Sequence, residues 1–565
     1  MIPETQKRKL ERGVVIEKTL LEHWPLYASV LILSLLVWLI LAISLTQNQG
    51  HLVYALDDAY IHMAMARNFS HYGVWGVTRY GFTSSSSSIL WTLLLSLTYY
   101  LFGVSQIAPL LWNLFFAVLV LWVAYAILTR YKLSAALKLA ALLAIVFLIP
   151  LPTLILAGTE QILQTVLAML VTFLAARVLS GEAPSSAPRD SILLLVLAPL
   201  VTGVRFEGMF LVLAICGLLF LCKRWFYALA FGVCGFLPVV IYGIISVSHG
   251  WFWFPNSVLL KGVMPDLTSL SGLFLSLAIN AYGNLYQGLH VFVLLIAVLL
   301  FYVLACGKGR GVFDSRQVMG AILLGAAFPH VEFMQVGPLF RYDAYLFALG
   351  ALFLASQLPI VAPNLPARTS FSRELAPKYL AAWGLALLLF FPLAVKGSRL
   401  LWLLPQCTTN IFEQQYQMGS FVLQYYQGST VALNDVGAVN FLADIRCLDL
   451  WGLANRDVTS LKREHNYHTR DIAGLSKQAG ARIAILYDYW YAGEVGGLPA
   501  EWVQVGQWTI RHNVILGADT VSFYALDPSE VSHLSQCLRE FSLRLPRDVI
   551  QNGSYLEWRR IPATP

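Results

Sequence analysis

Two adjacent carboxylates, Asp57 and Asp58, stand in the run Tyr54-Ala-Leu-Asp-Asp-Ala-Tyr-Ile61, shortly after the first apolar segment of the chain. Neighbouring carboxylates repel, so one can keep its proton to a raised pH and act as a base while the other binds a cation or orients an acceptor hydroxyl. His62 follows Asp58 at i,i+4, on the same face if this stretch is helical, a spacing that could also set two metal ligands side by side for a divalent cation. The plainer reading is an Asp pair that caps a short interfacial helix. Other ionisable residues stand at the ends of apolar segments, where desolvation makes them expensive: Glu160 in Gly158-Thr-Glu, Arg205 and Glu207 in Arg-Phe-Glu-Gly208, Asn256 and Lys261 after Pro255, His330 and Glu332, and Arg341-Tyr342-Asp343. Each has a structural explanation alone: an Arg–Glu pair holding a turn, a glutamate complementing a helix dipole, an aromatic belt at 251–254. Taken together, two carboxylates with Arg205, Lys261 and Arg341 describe a base beside an anion-binding surface, provided that all reach one side of one membrane.

The elements that must position them are membrane helices. Of 565 residues 58% are hydrophobic and 12% charged, whereas a soluble globular domain carries about 25% charged residues. The net charge of +7 sits largely at short connections and does not suggest nucleic acid. Lys7, Arg8, Lys9, Arg12 and Lys18 precede the first apolar run, 27–45, which has no cleavage site after it and reads as a retained helix with a cytoplasmic N-terminus. Further apolar segments run at 86–102, 107–128, 136–156, 161–179, 190–204, 208–222, 226–247, 290–306, 317–331, 341–358 and 379–396. The basic clusters Arg130/Lys132, Lys223/Arg224, Lys308/Arg310/Arg316 and Arg368/Arg373/Lys378 belong on the cytoplasmic side. Segments 158–161, 205–208, 251–288 and 330–341 and the C-terminal domain then fall outside. An odd number of crossings is needed for that sidedness. Eleven are expected if 86–102 is re-entrant or interfacial; otherwise the Arg130 connection breaks the charge rule.

From residue 406 the composition becomes that of a soluble domain. Strand-like runs at 430–434, 482–487, 508–515 and 520–525, with helical stretches near 410–427 and 530–540, indicate a small α/β domain. The expected fold is therefore an α-helical polytopic membrane protein, residues 1–405 with an external loop at 48–88, carrying a C-terminal soluble α/β domain, 406–565. Of seven cysteines, Cys216, Cys222, Cys234 and Cys306 lie in apolar runs, and Cys407, Cys447 and Cys537 leave a disulfide open in an oxidising compartment.

Asp57-Asp58-Ala-Tyr-Ile, then Arg67-Asn68, Gly73, Thr83-Ser84 and Leu90-Trp91, resembles the first external loop of the C-type (GT-C) glycosyltransferase superfamily, in the variant seen in terminal arabinofuranosyltransferases of mycobacterial cell-wall assembly. Gly158-Thr-Glu160 is similar to that group's Gly-Leu-Glu, Arg205-Phe-Glu-Gly to its Arg-Pro-Glu-Gly, Pro255-Asn-Ser…Lys261 to its Pro-Asn-Thr…Lys, and Arg341-Tyr-Asp to its Arg-Tyr-Glu. Asn434-Asp-Val-Gly437 and Leu448-Asp-Leu-Trp-Gly-Leu453 resemble a stretch of the same relatives, so the likeness runs in order over 54–455. It implies transfer of a sugar, arabinofuranose in the nearest variant, from a polyprenyl-phosphate donor to an acceptor glycan or other hydroxyl at the outer face of the cell (inner) membrane. Asp57 would be the general base, with Asp58 supporting it or helping to hold a divalent cation. Lys261, Arg341 and Arg205 would bind the donor phosphate, and Glu160, Glu207, His62, Asn256, His330 and Tyr342 would shape the cavity. The soluble domain would bind the acceptor, with Tyr487, Tyr489, Trp490 and Tyr491 either its surface or a packed core. Phe206 and Asp343 depart from the pattern and leave the sugar open. A flippase for lipid-linked sugars and a membrane-anchored glycan-binding assembly protein are the alternatives. The first would carry polar residues through the midplane, whereas here they cluster at one face.

Overall fold

The computed structural model describes residues 4–182, 189–261, 269–333, 339, 341–361, 376–493 and 495–557. Among the described residues six helices are long and apolar enough to cross a membrane: Glu22–Gln47, Ala108–Arg130, Gln161–Ser180, Trp225–Ser248, Leu289–Gly307 and Ala344–Val361. A seventh crossing results if Ala135–Leu148 and Leu151–Ala157, bent by 41° at their junction, form one broken span. Eleven crossings are thus not found among the described residues. Among the other expected spans, Arg189–Val204 and Gly208–Leu221 are helices of 16 and 14 residues, and Ser315–Phe333 buries Gln317, His330 and Glu332. Residues 86–102 yield only the helix Ile89–Phe102, started by Ser88, whose side chain accepts from the Trp91 amide at 3.1 Å. Fourteen residues at 1.5 Å rise span only about 21 Å, short of a bilayer's hydrocarbon.

Gln161–Ser180 is the central helix, nearly all of its side chains buried among its neighbours. The turn before it brings Gly158 against the first loop. Gly158 is left-handed (φ 73°), and a Cβ there would stand 2.5 Å from the Tyr54 ring, so only glycine permits the approach.

The soluble domain holds a six-stranded mixed sheet: β1 Thr430–Leu433, β2 Arg446–Asp449, β3 Ile483–Leu486, β4 Val503–Thr509, β5 Thr520–Ala525 and β6 Ile550–Asn552. Their order is β2-β1-β3-β5-β4-β6, parallel from β2 to β3 and antiparallel beyond. The expected strand at 508–515 is displaced: β4 ends at Thr509, and the loop beyond reaches back to the bundle, where His512 O accepts from Asn410 Nδ2 at 2.7 Å. The boundary expected after residue 405 falls inside the helix Ala376–Ile411, which continues through a π-turn into Gln417–Tyr425. All seven cysteines are free thiols.

The first loop joins this domain to the bundle. Its helix, Asp57–Tyr72, lies along the short helix Ala438–Leu442 and satisfies both ends of it. Asp57 accepts from the Gly437 and Ala438 amides at 2.7 Å each, and Arg67 donates to Phe441 O at 2.7 Å and Asn440 O at 3.0 Å. Unpaired amides and carbonyls of a helix's first and last turns are thereby matched to a carboxylate and a guanidinium. A Cβ on Gly437 would meet the Asp57 carboxylate at 2.5 Å. Gly437→Ala is therefore expected to destabilise the protein by about 1–3 kcal/mol through overpacking at this joint, read as a lowered thermal midpoint in detergent.

Candidate active site

The residues that the sequence singles out converge at one end of the helix bundle, below the soluble domain. Arg205 follows the helix Arg189–Val204 and is almost wholly buried. Its Nη1 donates to Glu160 Oε1 at 2.5 Å, and its Nε and Nη2 donate to Glu207 at 3.0 and 2.5 Å. A buried guanidinium needs this compensation, because an unpaired charge in such surroundings costs several kcal/mol. Glu160 also accepts from Ser87 Oγ at 3.3 Å, and its other oxygen lies 3.3 Å from His62 Nε2. On its far side the His62 ring stands 3.0 Å from Thr92 Oγ1 and 3.3 Å from Ser86 Oγ.

Arg341 forms the other half of the site. Its Nη1 pairs with Asp58 Oδ2, while its Nε meets no hydrogen-bond partner among the described residues. Tyr342 lies between the two guanidinium groups, its ring centre 5.0 Å from Arg205 and 4.8 Å from Arg341. Asp58, His62, Glu160, Arg205, Glu207, Arg341 and Tyr342 line one small cavity, completed by Ser87, Thr159, Gln161, Ser257 and Val258. Its free space is about 30 Å³, room for water but not for a sugar.

The placements of these residues bear on three of the expectations. Asp57 does not line the cavity: both of its oxygens are turned to the Gly437 and Ala438 amides. It does cap a helix, but one that lies 380 residues further along the chain and not its own. Asp58, expected as its helper, is the carboxylate on the cavity. Arg205, expected on the donor phosphate, directs Nε, Nη1 and Nη2 to Glu160 and Glu207, so two carboxylates balance its charge, whereas Arg341 pairs with Asp58 alone and its Nε meets no partner among the described residues. Asp58 and His62 share the cavity, Asp58 on Arg341 and His62 among Ser86, Thr92 and Glu160, and no group of three His, Cys, Asp or Glu among the described residues is arranged to hold a metal.

Asn256 ties this end of the bundle to the soluble domain, donating to Gly452 O and Thr459 Oγ1 at 2.8 Å each, rather than facing the cavity. His330 lies behind the site, 3.1 Å from Asp343, whose other oxygen is 3.6 Å from His290. Lys261 ends the helix Asn256–Lys261, and its side chain lies outside the described residues. Of the aromatic cluster, Tyr487 and Tyr491 are core, Trp490 is half-buried against Trp451, and Tyr489 is exposed. Sequence reasoning missed Ser87, which sits in the serine run 84–88 and looks there like low complexity. It also gave no role to Arg67 or to His290.

Crowding pushes the Asp57 carboxyl up to about 8: burial is the largest cause and Asp435 repels it, while the Gly437 and Ala438 amides pull the other way. A carboxyl that holds its proton more tightly folded than unfolded stabilises fully below its ordinary pKa near 4, and the gain fades as pH rises through about 8. Thermal stability is therefore expected to fall between these pH values, with a smaller slope in Asp57→Asn. For Arg205→Met, which strands Glu160 and Glu207, a loss of about 3–5 kcal/mol is expected, seen as a collapse of the thermal midpoint.

A family model described as a domain of unknown function (DUF8728) matches residues 409–524. No curated protein matches the chain. Among solved structures, the chain is similar to ArnT from Cupriavidus metallidurans bound to undecaprenyl phosphate, at 14% identity and a TM-score of 0.48, over 88% of this chain and 98% of that one. It is also similar to the Archaeoglobus fulgidus oligosaccharyltransferase in its apo form, at 12% identity and a TM-score of 0.47, over 88% of this chain and 75% of that one. Likenesses of this size leave the function to be argued from the site itself.

Proposed function

We propose that the protein is an integral membrane glycosyltransferase that moves a sugar from a polyprenyl-phosphate donor to an acceptor hydroxyl, at the membrane face that carries the soluble domain. The observation that carries this reading is the pairing of Asp58 with Arg341 on a cavity whose other cation, Arg205, is already neutralised. The ordered resemblance over residues 54–455 supports it from the sequence.

Entry of the donor exchanges one anion for another. The phosphate takes the Arg341 guanidinium from Asp58, and this parting opens a cavity otherwise too small for a sugar. Lys261, at the end of the adjoining short helix, is a second candidate for the phosphate. The Asp58 carboxylate then accepts the proton of the acceptor hydroxyl as its oxygen bonds to the anomeric carbon. The carbon–phosphate oxygen bond breaks from the opposite face, so the anomeric configuration inverts, and Arg341 stabilises the charge that collects on the leaving phosphate. Asp57 serves as the positioning residue: it fixes the helix that carries Asp58 against the soluble domain. The nearest sequence variant makes arabinofuranose a candidate sugar and a cell-envelope glycan a candidate acceptor. In this reading, which the basic clusters of the sequence support, the N-terminus lies in the cytoplasm and the soluble domain outside the cell membrane.

Asp58→Asn is expected to lower turnover by at least about 10²-fold, the usual scale for losing a general base, and to lower the thermal midpoint as well, because Arg341 loses the carboxylate it pairs with. Asp57→Asn is expected to lower stability first. The assay is sugar transfer from a synthetic polyprenyl-phosphate donor by the reconstituted enzyme. Undiminished turnover in Asp58→Asn rules out Asp58 as base, and lipid translocation without glycoside formation favours a flippase instead.

A further inference from the structure

A second polar cavity opens at the far end of the bundle. Ser315 starts the helix Ser315–Phe333 at this cavity, and His330 near that helix's other end lies behind the Asp58 site, so the two sites are about 22 Å apart along one helix. The cavity, about 370 Å³, is lined by Arg130, Tyr131, Lys132, Glu182, Arg310, Asp314, Ser315 and Arg316. Four cations from two separate connections thus face two carboxylates. Glu182 lies 3.4 Å from Arg130 and accepts from Ser315 Oγ at 2.5 Å; Asp314 lies 3.1 Å from Arg310. Arg316 packs on the Tyr131 ring, 4.7 Å from its centre, and donates to the carbonyls of Ser356 and Tyr131. Neither Arg316 nor Lys132 has a carboxylate at ion-pair distance among the described residues, so the cavity keeps an excess of positive charge.

Basic residues that only orient a membrane protein need to lie near the membrane surface. They need not converge on a hollow with a tyrosine and a serine hydroxyl between them. We propose that this cavity binds the phosphate group of an anionic ligand, with Lys132, Arg310 and Arg130 supplying the mobile contacts and Arg316, held by two carbonyls and a ring, the fixed one. Guanidinium forks match phosphate oxygens, and a basic pocket between helix ends suits either a phospholipid head group or a soluble phosphate.

The test titrates phosphatidylglycerol, phosphatidylcholine and inorganic phosphate separately into the full-length detergent-solubilised protein and counts bound ligand by native mass spectrometry. Wild type is expected to bind phosphatidylglycerol in preference to phosphatidylcholine. Each cation near such a head group contributes roughly fivefold, so Lys132→Gln/Arg310→Gln should bind about thirtyfold more weakly. Lys132→Gln alone, at an exposed position, should weaken binding about fivefold and serves if the double variant does not fold. Binding of phosphatidylglycerol without inorganic phosphate assigns the site to a lipid head group; binding of both assigns it to the phosphate itself. Equal binding of phosphatidylglycerol by wild type and Lys132→Gln, or no binding of either anion by wild type, overturns the proposal.

Discussion

The end of the bundle next to the soluble domain is organised by one buried charge. Arg205 cannot stay unpaired among apolar helices, and the carboxylates that balance it come from different places: Glu160 from the turn before the central helix and Glu207 from its own turn. Glu160 in turn gathers His62 from the first loop and Ser87 from the serine run. The Tyr342 ring passes the arrangement on to Arg341, and Arg341 to Asp58. Five segments distant in sequence are thus fixed around a single guanidinium. A reactive site needs this property, since a base and a phosphate ligand misplaced by an ångström lose much of their effect.

The neighbouring aspartates divide two tasks between them. On a helix, successive side chains point about 100° apart, so Asp57 and Asp58 cannot serve the same partner. Asp57 turns to the soluble domain and Asp58 to the cavity. The first loop is therefore tied to the soluble domain through one residue and to the cavity through the next, and any movement of the soluble domain acts directly on the helix that carries Asp58. Asn256 makes a second tie between the same two parts through Gly452 and Thr459.

Much of this site was legible in the sequence, because polar residues at the ends of apolar segments are costly enough to need a reason. Glu160, Arg205, Glu207, Arg341 and Tyr342 all reach the cavity, and the i,i+4 spacing of Asp58 and His62 puts both on its wall. What could not be read was the choice between Asp57 and Asp58. That depends on where the amide of Gly437 arrives, and no local pattern encodes a partner so distant. Nor did Arg205 reveal that two carboxylates balance its charge, since the motif supplies Glu207 but only the fold supplies Glu160. Strand β6 has only three residues, too few for alternation to mark, and β2, Arg446–Asp449, begins and ends on a charged residue, unlike the apolar β3 of the same length. The number of crossings is hard to read for the same kind of reason: an apolar run of about fifteen residues makes a buried helix as readily as a span.

The central claim is that donor phosphate displaces Asp58 from Arg341. A structure of the protein with a non-hydrolysable polyprenyl-phosphate sugar analogue tests it most directly. The phosphate should lie within hydrogen-bond reach of the Arg341 guanidinium, with Asp58 parted from that group and facing the anomeric carbon. A head group bound elsewhere, with the Asp58–Arg341 pair still closed, would contradict the account.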